Sequence, residues 1–411
     1  MLSSEINMIY FKNKFNSIIN FTLGFPKGMY IIFLNIFSKK KINLVKIFSS
    51  KFGHFLLNTE SFLRTKFSSK KIFIFFTEKK IDNQELLELW KKKIYIVNFN
   101  TGFFLSKCVS FLNWSYYDLR DFIFINKKIL RYKNFLFSYK TKKPDDFQIS
   151  KNYFTCSIRS SNYNKHYQLY EPISKYNYQS WRDTNIENFN DAISKFLSVN
   201  NSNYKSYLVN KLVKSESILK NNKKFFFFSK AQYKLDKIFD LIINSKFHVS
   251  SSTGIDMVAL LNNIPTAHLN TTLGVGFHGI NFQDKSIICP LNIFSLSEKR
   301  ILSLSEHVSL LKEIEDKFKV DRLEGELQKK YNVKYTQLKS DEIFNAIKEI
   351  HNLSKGKNIL SNTDKILQKK FWSIYPKVWW FFKSKLVFNQ KTNRVIVSPY
   401  FLKKYNSSYL K

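Results

Sequence analysis

Residues 246–270, KFHVSSSTGIDMVALLNNIPTAHLN, hold the densest set of groups able to bind an anion. A short β-rich run ends in Ser250-Ser251-Ser252-Thr253-Gly254. An apolar helix is expected at once, over residues 254–261, until Asn262-Asn263 and Pro265 stop it before another strand. At such a junction the first backbone N–H groups of the helix are unpaired and point out from the sheet edge. They favour an anion by about 0.3–1 kcal/mol, and by up to about 2 kcal/mol when partly buried. Gly254 has no Cβ to hold a pyrophosphate away from the backbone, and the hydroxyls of Ser251, Ser252 and Thr253 add donors. Plain capping is the alternative, since Thr253 with Asp256 three residues on fits a variant of the capping box.

Arginine gives a second set. Ser157-Ile158-Arg159-Ser160-Ser161-Asn162-Tyr163 puts Arg159 just past a strand, where paired N–H bonds can hold a phosphate. Trp181-Arg182-Asp183 puts Arg182 in a loop ahead of a helix. Structural salt bridges are the competing explanation for both. Phe52-Gly53-His54 occupies the first strand-to-helix turn, the place where open α/β sheets take ligands. His54 can act there as a base or hold a hydroxyl, and a capping or packing histidine is the alternative.

Residues 274–279, GVGFHG, match the pattern GxGxxG after a strand. The dinucleotide fingerprint also requires that the glycines open a helix, with an acid about 20 residues on. Residues 280–288 are extended in character, so a dinucleotide site is rejected. A loop rimming a cleft, with His278 in it, fits better. The sequence has no Asp-x-Asp, no Walker A loop, no HExxH and no GxSxG. No metal site is expected, and charge on a leaving diphosphate would fall to backbone N–H groups and to Arg or Lys.

These segments need a frame. From Asn43 onward strands and helices alternate: strands over 44–48, 71–77 and 94–99, helices over 54–66 and 83–91, and a helix passing into a strand over 114–125. That alternation predicts a parallel sheet. Residues 138–146, SYKTKKPDD, are polar and lack an apolar period, which marks a boundary. A second α/β block follows, with strands at 153–158, 223–229, 246–250 and 265–269 and helices at 188–196, 234–244 and 254–261. A helix over 341–353 is expected next, with Ser340 at its N-cap and Gly356 past its end. The division is a basic, apolar segment 1–42, an N-terminal α/β domain 43–145, a C-terminal α/β domain 146–335 and a helical tail 336–411.

The 411 residues carry a net charge of +36, which first suggests nucleic acid. Phe, Tyr, Lys, Asn and Ile are all in excess while Ala, Gly and Pro are scarce, so a base-composition bias explains much of the lysine. Only eight of the 67 basic residues are Arg, the better reader of phosphates and base edges. No specific nucleic-acid partner is expected. Cys108, Cys156 and Cys289 are far apart and without CxxC spacing, which fits a reducing compartment and buried apolar roles. Residues 18–37 approach a spanning helix but are interrupted by Gly24, Pro26, Lys27 and Gly28 and followed by Lys39-Lys40-Lys41. An interfacial segment at the inner face of a membrane and a core helix or hairpin are the two readings, in an otherwise cytoplasmic chain.

Taken in order, these blocks resemble a family of bacterial glycosyltransferases related to surface-polysaccharide synthesis. The resemblance is carried by Phe52-Gly53-His54, Asn58-Thr59-Glu60 with Leu63, Ile158-Arg159-Ser160 with Tyr163, and Trp181-Arg182-Asp183 before Ile186. It continues through Tyr233, Asp236 and Asp240 into Ser252-Thr253-Gly254, then residues 300–306, 340–347 and 398–402. Asp183 departs from the family's Asn. The resemblance implies an α/β fold of two Rossmann-like domains facing each other across a cleft (GT-B-like), with the donor nucleotide held by the C-terminal one. Residues 251–254, Arg159 and Arg182 would hold the diphosphate, Asp256 or Asp240 would stand near the ribose, and His54 would face the acceptor. The expected partners are a nucleotide sugar as co-substrate and a glycan or lipid-linked acceptor, with no other cofactor.

Overall fold

The computed structural model describes residues 2–36, 42–66, 71–120, 136, 152–159, 184–199, 204–209, 224–227, 234–273, 285–318, 323, 325–375, 378–381, 384–387 and 395–411. The chain divides into two compact units, residues 1–140 and 141–411. Each contains a parallel sheet with helical crossovers, so the chain is α/β with two Rossmann-like units.

Unit 1 comprises α1 (Leu2–Ile36), β1 (Ile42–Ile47), α2 (Phe52–Lys66), β2 (Ile72–Thr77), α3 (Gln84–Lys91), β3 (Ile96–Val97), α4 (Phe99–Cys108) and β4 (Ser115–Asp118). The sheet order is β3-β2-β1-β4, with every pair parallel, and Leu44 lies between Ile74 and Tyr116. β1 and β2 are near-continuous apolar runs, as strands covered on both faces must be. α2 buries polar residues too. Its Glu60 and Arg64 form an enclosed ion pair at 2.8 Å, and Asn58 Nδ2 donates to the Leu119 carbonyl at 2.7 Å.

Two sequence expectations fail here. Residues 115–118 are strand rather than helix, because Tyr116 and Tyr117 suit the pleated edge beside β1. The strand expected over 94–99 shrinks to Ile96–Val97 because Asn98 caps a helix, its side chain accepting the Thr101 N–H at 2.8 Å.

Unit 2 begins with β5 (Tyr153–Ser157), α5 (Ile186–Val199), β6 (Lys205–Leu208), β7 (Phe225–Phe227), α6 (Leu235–Ile243), β8 (His248–Ser250), α7 (Asp256–Leu261), β9 (Thr266–Thr271) and β10 (Ser286–Pro290). It continues with β11 (Asn292–Ser295), β12 (Arg300–Ile301), α8 (Leu304–Phe318), α9 (Gly325–Lys330), β13 (Val333–Thr336), α10 (Ser340–Ser354) and α11 (Asn362–Ile374). Last come β14 (Val378–Phe381), β15 (Ser384–Val387), β16 (Ile396–Val397) and α12 (Pro399–Tyr409). The main sheet runs β16-β10-β9-β8-β5-β6-β7 with all neighbours parallel. Its core is aromatic: Phe154 stacks on Phe247 at 4.7 Å, and Phe196 meets both edge-on.

The expected helical tail also supplies a strand, β16, which joins the sheet beside β10. Helix α10 starts one residue earlier than expected. Lys339 is its N-cap, and Glu342 reaches back to the Lys339 N–H at 2.6 Å. Gly356 ends it at φ +74, a left-handed conformation that glycine adopts without strain, and returns its N–H to Leu353. All three cysteines are free, with Cys156 and Cys289 buried.

Candidate functional site

The strand orders place a topological switch in each sheet. In unit 2 the chain builds outward from β5 through β6 to β7 on one side, then returns to lay β8, β9, β10 and β16 on the other. In unit 1 it builds β1, β2 and β3 one way and sets β4 on the opposite flank of β1. At such a point adjacent connections leave the carboxyl ends of two strands in opposite directions and open a crevice for ligand. Residues 157–159 leave β5 and residues 251–254 leave β8. The two segments singled out in unit 2 therefore stand together at its switch. His54 follows β1, and Leu119-Arg120 follow β4, at the switch of unit 1.

At the unit 2 switch the chain is fastened by one buried carboxylate. Asp256 Oδ1 accepts from the Ser157 hydroxyl, from Thr253 Oγ1 at 2.9 Å and from His248 Nε2 at 3.1 Å. Its Oδ2 accepts from the Ser250 hydroxyl and from the Thr253 N–H at 2.5 Å. Thr155 Oγ1 lies 2.9 Å from His248 Nδ1 and completes the lattice. Burial alone would raise the Asp256 carboxyl. The hydrogen bonds and charge of His248, with the Ser157 and Ser250 hydroxyls, outweigh it and hold the group below the usual carboxylate range.

The sequence reading set Asp256 or Asp240 near a ribose. The Asp256 carboxylate is 1% exposed with both oxygens accepting hydrogen bonds, and it shapes the loop. Helix α7 also begins two residues later than expected and has six residues. The side-chain bonds of Asp256 take the place of a first helical turn, with Ser252 at φ 61, and so short a helix sums few peptide dipoles. What the loop offers is donors. The N–H groups of Gly254 and Ile255 have no acceptor among the described residues, and Gly254 is exposed. Ser251 is buried; its hydroxyl accepts the Arg159 N–H at 2.6 Å, while the Ser252 side chain is half-buried.

Arg159 is itself buried at the end of β5. Its carbonyl accepts the Thr184 N–H at 3.0 Å, and Thr184 Oγ1 accepts from Asn270 Nδ2 at 3.0 Å, which ties in the end of β9. Asp240 is elsewhere. It lies on α6, whose Leu241 carbonyl accepts from the Tyr153 hydroxyl at 2.9 Å, and Tyr153 opens β5 at the end opposite Ser157. Burial, with Asp236 beside it, raises its carboxyl above the ordinary value. The structure thus sets Asp240, expected near a ribose, toward the start of β5 and away from residues 251–254. Tyr163, Arg182 and His278 lie outside the described residues.

At the unit 1 switch Gly53 and His54 are half-buried in the first turn of α2. The His54 ring stacks on Phe48 at 4.8 Å and 23°. The Arg120 guanidinium stands 5.4 Å from the Phe48 ring and pairs with Glu78, whose Oε2 accepts the Ser50 N–H at 3.0 Å. Asp82 Oδ2 accepts the Phe52 N–H at 2.9 Å and fixes the turn before His54.

Sequence reasoning gave no role to Glu78, Arg120, Thr155, Ser157, His248 and Ser250. For the last four a signal exists: polar residues two apart in otherwise apolar strands share one face. The register sets Thr155 beside His248 and Ser157 beside Ser250.

No family model matches the chain, and no curated protein matches it in sequence. Among solved structures it is similar to the glycosyl transferase family 9 protein from Veillonella parvula DSM 2008. That likeness has 10% identity and a TM-score of 0.41, over 76% of this chain and 97% of the other. It is similar to ADP-heptose LPS heptosyltransferase II of E. coli at 12% identity and a TM-score of 0.37, over 60% and 89%. A third likeness is to the dodecameric iron-containing heptosyltransferase TibC, from enterotoxigenic E. coli H10407, solved with ADP-D-beta-D-heptose. It has 10% identity and a TM-score of 0.33, over 56% and 58%.

Proposed function

We propose that this chain moves a sugar from a nucleotide-activated donor to a glycan or lipid-linked acceptor, without a divalent metal, in surface-polysaccharide synthesis. The observation that carries the proposal is the meeting of residues 157–159 and 251–254 at the switch point of the unit 2 sheet. A diphosphate there would find the N–H groups of Gly254 and Ile255, the Ser252 hydroxyl and the Arg159 side chain. When the bond from the anomeric carbon to the diphosphate breaks, negative charge grows on the leaving oxygen. Preorganised donors stabilise that charge most where water is excluded. The lattice under Asp256 supplies the preorganisation, since it holds the loop in one conformation before a ligand arrives. In unit 1, His54 would take the proton of the acceptor hydroxyl. The order of the sequence blocks supports the same reading.

Thermal unfolding against a panel of nucleoside diphosphates and nucleotide sugars, with and without EDTA, tests it. A ligand at about a hundredfold excess over Kd adds about 2.7 kcal/mol of stability. We expect a shift with one nucleotide that survives EDTA and disappears in Gly254→Val. No shift with any of them, together with RNA binding that falls steeply with salt, would replace this reading with that of a basic scaffold.

A further inference from the structure

Over residues 15–35 helix α1 is largely apolar, and its buried positions Gly24, Gly28 and Ile31 share one side. Along residues 21–32 it lies on α4. The Phe104 ring meets Phe21 at 4.9 Å and Phe25 at 5.4 Å, and Ile31 is buried against the same cluster. Gly24 and Gly28 permit this approach: a Cβ at Gly24 would stand 2.1 Å from the Asn100 carbonyl oxygen, and one at Gly28 would stand 2.1 Å from the Phe104 ring. The opposite side carries Phe15, Ile18, Leu23 and Tyr30, each about 60% exposed. At about 100° per residue they fall on one broad face, turned away from Gly24 and Gly28. A stripe of this kind on a soluble surface marks an interaction site.

We infer that this stripe docks unit 1 on an anionic lipid surface, with α1 lying in the plane of the membrane. Charge selects lipid over a protein partner. Lys27 stands exposed within the helix, and Lys39-Lys40-Lys41 follow it in sequence. Geometry selects docking over spanning. Residues 15–35 are long and apolar enough to cross a bilayer. Their middle, however, is held along α4, so a crossing would draw the exposed Lys107 of α4 and the sheet edge into hydrocarbon. An in-plane helix keeps unit 1 in water, buries the exposed stripe at the headgroup boundary and lets Lys27 reach the phosphates. The inference is independent of the reaction proposed above.

Sedimentation of the full chain with vesicles tests it, using phosphatidylcholine alone and an equal mixture with phosphatidylglycerol. We expect the chain to pellet with the mixture, to stay largely in solution with phosphatidylcholine alone, and to be released by an alkaline carbonate wash. Leu23→Asp combined with Tyr30→Asp should lower the bound fraction by about tenfold or more with unchanged thermal stability, since both side chains face outward. Lys27→Glu should weaken binding to the mixture by about tenfold, and not binding to phosphatidylcholine. Failure of the chain to pellet with the anionic mixture would overturn the inference. Retention after carbonate would replace docking with spanning. A dimer that the double variant dissociates, without vesicle binding, would assign the stripe to a second copy.

Discussion

His248 on β8 and Asp256 at the start of α7 meet at 3.1 Å, Nε2 to Oδ1, inside the protein, and close the turn between them. The hydroxyls of Ser157, Ser250 and Thr253 all point at the same carboxylate. The loop that carries Gly254 is thereby set from below by an enclosed carboxylate.

Asp256→Asn keeps the volume and removes acceptor capacity, leaving buried donors facing an amide N–H₂. We expect a loss of about 2–4 kcal/mol in urea unfolding at neutral pH. Nucleotide-dependent stabilisation should vanish in the same variant. The folded Asp256 carboxyl lies below its unfolded value, so its contribution is present above the ordinary carboxylate range. It is lost as pH falls through the folded value.

Arg159 and His54 should separate kinetically. Arg159→Ala removes a charge from the proposed diphosphate site and should weaken donor binding by about tenfold to a hundredfold. His54→Ala should leave donor binding intact and lower turnover by about a hundredfold or more. Titration calorimetry with the nucleotide and an initial-rate assay read the two effects. Full activity in His54→Ala would remove that residue from the mechanism.

His307 on α8 is enclosed, neither ring nitrogen bonds a described residue, and burial lowers its pKa to about 3. The unfolded chain takes up a proton near pH 6.5 that the folded chain refuses. Stability is therefore complete above that value and declines as pH falls toward 3. The expected loss between pH 7 and pH 5 is about 2 kcal/mol, measured by urea unfolding, and His307→Phe should flatten it.

Glu349 on α10 acts in the opposite sense. Burial, partly offset by Ser398 and the Tyr400 N–H, raises its carboxyl to about 7, where it lines a hollow of about 390 Å³ with Asp364 and Lys403. Its contribution is complete below the unfolded carboxylate value and is lost as pH rises through 7. Glu349→Gln should accordingly be more stable than the parent chain at pH 8, by about 1–2 kcal/mol, and no more stable at pH 4. Equal stability at both values would show that the group ionises freely.

Several parts of this arrangement were legible in the residues. KIFIFFT is too apolar for anything but a covered strand, and the hydroxyl run before Gly254 marks a strand-to-helix junction. The α4 helix was hidden because Asn98 reads equally as loop or cap until its Thr101 partner is seen. Asp240 and Asp256 both sit near the Ser-Thr-Gly segment in sequence. One lies toward the far end of the sheet and the other beneath the loop, a distinction that linear spacing does not carry.

By itself the sequence determined what local chemistry controls: the α/β alternation, the hydroxyl-rich turn, the scarce arginines and the apolar run with its glycines. Periodicity and capping act over a few residues and leave their mark there. The tertiary structure alone decided that β8 returns beside β5, which brings Arg159 and Gly254 to one switch and turns four strand residues into a lattice around Asp256. It also decided which side of α1 is covered, since Phe104 reaches Gly24 and Gly28 from a helix some 75 residues on. Strand order and helix contacts are settled by packing between distant segments, and no single segment encodes them.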